Sequence, residues 1–147
     1  MTNKQKEADE IFGQGFNCAQ ATLTPFAEEL GLDRGSALKL TSGFGAGMKR
    51  GETCGAVTGS VMALGLKRGH TVPNDEDSKK GGYVLPALFL KQFEEKFGSI
   101  RCKELLGLDP ADEKELAQIK EQGLFKSKCP VFVKKAAAIV EEILSQN

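Results

Sequence analysis

The clearest periodic signal lies near the end of the chain. Val133, Ala136, Ala137, Val140, Ile143 and Leu144 share one face when residues 130–144 are wound as a helix, and Lys134, Lys135, Glu141 and Glu142 fall outside it. Shorter helical stretches precede it, each bounded by a capping residue or a glycine. A first helix is predicted from Thr2 to about Phe12, stopped by Gly13 and Gly15. Asn17 caps a second that is bent or interrupted by Pro25 and ends at Gly31, and Ser36 caps a short third reaching Leu40. Thr53 is a plausible cap for a helix to about Lys67, closed by Gly69. Asn74, followed by Asp75, Glu76 and Asp77, opens a long helix to Phe97 that Gly81, Gly82 and Pro86 should weaken or kink. Ser99 starts a short turn through Leu106, and residues 110–122 carry a weak helical pattern. No run alternates with period two for more than a few residues. The predicted fold is all-α: a single-domain irregular bundle of about five to seven helices over residues 1–147.

A chain of 147 residues can bury a core without a metal or disulfide to hold it together. Its 20 cationic and 20 anionic side chains balance, which argues against nucleic acid as a partner, because phosphate binding needs a basic surplus. The longest apolar runs, 57–66 and 83–90, are broken by Gly59, Ser60, Gly65 and Pro86. Both fall short of the roughly 20 residues that membrane insertion requires. Residues 1–10 are polar, with no h-region and no twin arginine, so the expected compartment is the cytoplasm. In a reducing compartment cysteines serve as ligands, reactive thiols or core residues rather than permanent staples.

That narrows attention to Cys18, Cys54, Cys102 and Cys129, each of which falls at a predicted helix start. Cys18 follows Asn17, Cys54 follows Thr53, Cys102 lies three residues beyond Ser99, and Cys129 precedes Pro130, a favoured first helical residue. Free backbone N–H groups and the positive end of the helix dipole stabilise a thiolate there. Arg101, Lys103 and Lys128 add cationic neighbours. The cysteines are 36, 48 and 27 positions apart, so no local Cys-x-x-Cys pair forms, which weakens a structural zinc reading. A fold-assembled site of four thiolates suits a [2Fe–2S] or [4Fe–4S] cluster, and two disulfide-forming pairs would also fit. The plainer alternative is four cysteines that only fill space in the core.

Glycine at 51, 55 and 59 and alanine at 63 recur in steps of four, lining a helical face almost without side chains. Each glycine inside a helix costs about 1 kcal/mol against alanine. Either another helix packs closely there, or Gly55 and Gly59 let a cofactor held at Cys54 approach the backbone; the two are compatible. The stretch Gly43-Phe44-Gly45-Ala46-Gly47-Met48 has methionine where a dinucleotide fingerprint needs its third glycine, and reads as a tight loop delivering Cys54. His70, the single histidine, sits in a predicted exposed loop.

Gly15-Phe16-Asn17-Cys18-Ala19-Gln20, the glycine loop, and Gly51-Glu52-Thr53-Cys54-Gly55-Ala56-Val57-Thr58-Gly59 together resemble the C_GCAxxG_C_C family. Phe97-Gly98-Ser99-Ile100-Arg101-Cys102-Lys103-Glu104-Leu105 and Cys129-Pro130 resemble its third and fourth cysteine positions. The resemblance implies a redox-active protein, and export signals in some relatives imply a bound prosthetic group such as an iron–sulfur cluster. No such signal is read in residues 1–10, so export is not the expectation here. The leading expectation is an iron–sulfur cluster held by the four cysteines, for electron transfer or redox sensing. The alternatives are a cofactor-free thiol–disulfide protein and a non-catalytic zinc-binding or structural domain. A redox partner protein or oxidoreductase is the expected partner, and the small-residue face would permit a homodimer.

Overall fold

A computed structural model describes all 147 residues. Nine α-helices follow one another: α1 (Asn3–Gly13), α2 (Cys18–Ala27), α3 (Arg34–Thr41), α4 (Gly55–Arg68), α5 (Glu76–Phe97), α6 (Cys102–Leu106), α7 (Glu113–Gln122), α8 (Leu124–Ser127) and α9 (Cys129–Gln146). The all-α class holds, with more helices than the five to seven expected. The difference lies in residues 102–127, where Gly107 and Gly123, both with positive φ, cut the chain into short helices whose periodicity is too brief to read. The only β-type contact is one antiparallel bridge, between Thr53 and Arg101.

Local chemistry sets most of the boundaries. Thr2 and Asn17 each close a reciprocal capping box, with Gln5 and Gln20. Three predicted caps are corrected. Asp33 rather than Ser36 caps α3, accepting from the Ser36 amide at 2.9 Å. Asp75 rather than Asn74 caps α5. Thr53 is taken up by its bridge to Arg101, so Cys54 itself stands at the α4 N-cap. At the first two, the aspartate carboxylate accepts from the amide three residues on, which fixes the cap there. Nor do Gly81, Gly82 and Pro86 break α5, which runs unbroken for 22 residues. Pro86 withholds its bond from the Gly82 carbonyl, and the missing Cβ at Gly82 is where the His70 segment packs, 3.2 Å from its Nδ1.

Two cores result. The larger gathers α1, α2, α4, α5 and α9 around Phe26, Leu64, Leu85, Val133 and Val140, with α2 and α4 in the most extensive contact. Phe89, Phe93, Phe97 and Phe132 form an aromatic chain with centroids 4.9–6.5 Å apart, each such pair adding about 1 kcal/mol beyond burial. The smaller core, Cys102, Leu106 and Ile119, belongs to the cap formed by α6–α8, and Ala46, Phe125 and Cys129 pack against it. No helix is long and apolar enough to cross a membrane.

Candidate functional site

All four cysteines stand at helix starts, as the capping pattern predicts: Cys18, Cys102 and Cys129 open α2, α6 and α9, and Cys54 caps α4. Each is a free thiol; Cys18, Cys54 and Cys102 are buried and Cys129 is partly exposed. The backbone binds two of them directly. The Cys54 N–H donates to the Ile100 carbonyl at 2.7 Å, and the Cys102 N–H donates to the Glu52 carbonyl at 2.6 Å. These two bonds flank the Thr53–Arg101 bridge, so two cysteines distant in sequence are held side by side.

The four side chains border one cavity of about 280 Å³ at the seam between the two cores. Its other walls are largely apolar, chiefly Phe12, Phe16, Leu105, Leu106, Phe125 and Phe132, and Lys49 is the one charged residue among them. Phe125 and Phe132 flank Cys129 at four and three positions, one helical turn either way, a spacing that could have been read in advance. Lys49 left no such signal. No three His, Cys, Asp or Glu side chains are arranged as the shell of a single metal ion; the sulfurs surround a space rather than a point.

Gly55 and Gly59 do not line this cavity. A Cβ at Gly55 would overlap Cys18 Sγ, and one at Gly59 would overlap Thr22 Oγ1. Their missing side chains let α4 lie against α2, the helix-packing role, and Gly55 thereby brings Cys54 to Cys18.

The glycine loop is not merely tight. Ala46, Gly47, Met48 and Lys49 have φ of 53°, 60°, 59° and 56°, a left-handed turn in which three residues carry side chains. Such a conformation costs about 1 kcal/mol or more per non-glycine residue. Packing holds it: a Cβ at Gly47 would meet the Glu52 backbone at 2.5 Å, and one at Gly45 would meet Asn17 Cβ at 2.8 Å. Asn17 also donates from Nδ2 to the Ser42 carbonyl at 3.0 Å, tying the turn to the start of α2. The turn directs the Ala46 amide at the Cys18 sulfur.

Electrostatics separate one cysteine from the other three. Cys18 is lowered to about 7, first by a hydrogen bond from the Cys54 thiol and then by the backbone amides of Ala46, Cys18 and Gly55, against the cost of burial. Cys54, the donor to that thiolate, is raised well above the ordinary thiol range, and burial adds to the rise. Burial pushes Cys102 and Cys129 up to about 12, with the Cys18 charge adding to both. The helix-start argument thus prevails only at Cys18. The cations flanking Cys102 are committed elsewhere, Arg101 to Glu52 and Glu104 at 3.2 Å and Lys103 to Glu52 at 3.8 Å.

Residues 16–143, which hold all four cysteines and the Cys-Gly-Ala-x-x-Gly run at the head of α4, match the family described as "Putative redox-active protein (C_GCAxxG_C_C)". The chain belongs to the C_GCAxxG_C_C family. No curated protein and no solved structure matches it. In this C_GCAxxG_C_C protein the residues that give the family its name, Cys18, Cys54, Gly55, Ala56, Gly59, Cys102 and Cys129, divide into two tasks. The cysteines face the cavity, while Gly55, Ala56 and Gly59 are buried in the packing of α4.

Proposed function

We propose that this protein holds an iron–sulfur cluster in the cavity through Cys18, Cys54, Cys102 and Cys129, and works as an electron carrier or redox sensor. The observation that carries this reading is the convergence of all four thiols on one cavity of about 280 Å³. Four thiols around a space suit a polyatomic cluster better than a single zinc ion. A bound cluster supplies one-electron transfer. The chain's own part is to hold it, exclude water with Phe12, Phe16, Phe125 and Phe132, and direct the Ala46 and Gly55 amides at the Cys18 sulfur, which favours its charged form.

A second reading is favoured by the pairing of Cys54 with Cys18: the bare Gly55 lets Cys18 Sγ lie against the start of α4, and the Cys54 thiol favours the Cys18 thiolate. In dithiol exchange the Cys18 thiolate attacks a disulfide, one half leaves as a thiol, and Cys54 resolves the mixed disulfide. The substrate is reduced to two thiols and Cys18–Cys54 is oxidised to a disulfide.

Purification without oxygen, or reconstitution with ferrous iron and sulfide, followed by absorbance, iron and acid-labile sulfide analysis tests the first reading. Visible absorbance with matched iron and sulfide, lost in each Cys→Ser variant, is the expected result. A colourless protein that takes up no iron, yet forms a reversible Cys18–Cys54 disulfide, overturns it in favour of the second.

A further inference from the structure

The first half of α5 receives little support from the rest of the chain. The buried residues of this helix are Leu85, Phe89 and Phe93, so Glu76 to Val84 wind as helix without burying a single side chain. Gly81 and Gly82 lie in that half, each costing about 1 kcal/mol against alanine, and a free helical stretch of this length is marginal in water. The outer face of α5 is not plainly polar either. Glu76, Lys80, Tyr83, Ala87, Lys91 and Glu94 recur at steps of three or four opposite Leu85, Phe89 and Phe93, and all six are exposed. Tyr83 is 69% exposed, and Val84 and Leu88 flank the stripe, also exposed.

This face has the relief of a helix-packing surface. Glu76, Lys79, Lys80, Tyr83, Val84 and Ala87 line a shallow depression, and every one of them belongs to α5. They form two overlapping sets, 76/79/80/83 and 80/83/84/87, each spaced i, i+3, i+4 and i+7. Four residues so spaced make the hole that receives a knob from a second helix. The helices α5 packs on within the chain, chiefly α4 and α9, leave this face bare.

The charges on the stripe select the occupant. No salt bridge within the chain uses Glu76, Lys80, Lys91 or Glu94. Lys80 and Glu94 are equally far from Ala87 in sequence, one on each side, and so are Tyr83 and Lys91. An antiparallel copy of α5, related by a two-fold axis at Ala87, therefore sets Lys80 against Glu94 of the partner subunit and the Tyr83 ring against Lys91 of the partner subunit. The axis repeats both pairings. Alanine on the axis lets the two helices approach closely. The glycine steps of α4, the other face of small residues, are already filled by α2.

We infer that the outer face of α5 is the interface of a two-fold homodimer, packed antiparallel about Ala87. The inference does not depend on what the cysteine cavity holds.

Sedimentation velocity of the full chain across micromolar concentrations, with a thiol reductant present to prevent cross-linking, tests it. The mass should rise with concentration from 15.8 kDa toward twice that value. Ala87→Glu puts two carboxylates together on the axis and should weaken the dimer by about a hundredfold or more. Lys80→Glu and Glu94→Lys each turn two attractions into repulsions, and each alone should weaken it by about tenfold. The double variant Lys80→Glu with Glu94→Lys restores both pairings and should recover the dimer to within about threefold. All four positions are exposed, so each variant should keep its far-ultraviolet dichroism. A chain that stays at 15.8 kDa throughout, a dimer indifferent to Ala87→Glu, or a double variant no tighter than the single ones overturns the inference.

Discussion

Gly59 and Gly65 lie in the same helix, and replacing each by alanine should move stability in opposite directions. Helix propensity alone gives each substitution about 1 kcal/mol of stabilisation. At Gly65 nothing lies within 4 Å of the added methyl, so the propensity gain should appear nearly whole. At Gly59 the methyl would overlap Thr22 Oγ1 and stand 2.5 Å from the Ala19 carbonyl oxygen. Thr22 is fully buried and its hydroxyl donates to the Cys18 carbonyl at 2.9 Å, so rotating it away gives up a buried hydrogen bond, about 1 kcal/mol. The Ala19 carbonyl is helix backbone and moves only if α2 moves. Overpacking of this kind costs about 1–3 kcal/mol. With the propensity gain set against these losses, Gly59→Ala should lose about 1–3 kcal/mol and Gly65→Ala should gain up to about 1 kcal/mol. Urea unfolding of both variants, followed by far-ultraviolet dichroism, measures the difference. A Gly59→Ala protein as stable as Gly65→Ala would refute close α2–α4 packing as the reason for the glycine steps.

Further predictions concern the cysteine site. In metal-free protein Cys18 has a depressed pKa, so its stabilisation is complete above the unfolded value of 9.0 and fades as pH falls toward about 7. Cys102 and Cys129, raised to about 12, lose theirs as pH climbs from 9.0 toward 12. Stability against pH should therefore peak near pH 9, with a rising limb below the peak that Cys18→Ser abolishes; an unchanged limb in that variant would show the thiolate lies elsewhere. Asn17→Ala removes both the α2 cap and the bond to Ser42, and should lower stability by about 1–2 kcal/mol in denaturant titrations. Met48→Gly relaxes an exposed residue held at φ 59° and should stabilise by about 0.5–1 kcal/mol; a loss would mean the turn is not strained.

Much of this architecture could be read from the chain because its signals are local. Asn17 and Gln20 form a capping box within four residues, and the apolar face of α9 repeats over four turns. The helix-start placement of the cysteines followed from the same signals. What escaped was non-local or against propensity. The Thr53–Arg101 bridge joins segments 48 positions apart, with nothing in either to announce the other. Ala46, Met48 and Lys49 have no preference for a left-handed turn and are forced into it by contacts with Asn17 and Glu52. The pKa division among the cysteines depends on Cys18 alone receiving the Cys54 thiol and several backbone amides, and burial at Cys102 and Cys129 outweighs the helix ends that all four share.

The cavity lies where the main bundle meets the α6–α8 cap: Cys18, Cys54 and Cys129 stand at the starts of the bundle helices α2, α4 and α9, and Cys102 opens α6 of the cap. Whatever grips all four sulfurs is therefore a clasp, and its binding free energy becomes the free energy that keeps the cap shut. Empty copies would open first at residues 98–128 and offer that stretch to proteases, while filled copies stay closed. Were a cofactor held there, survival of the chain under protease would record whether its site was filled.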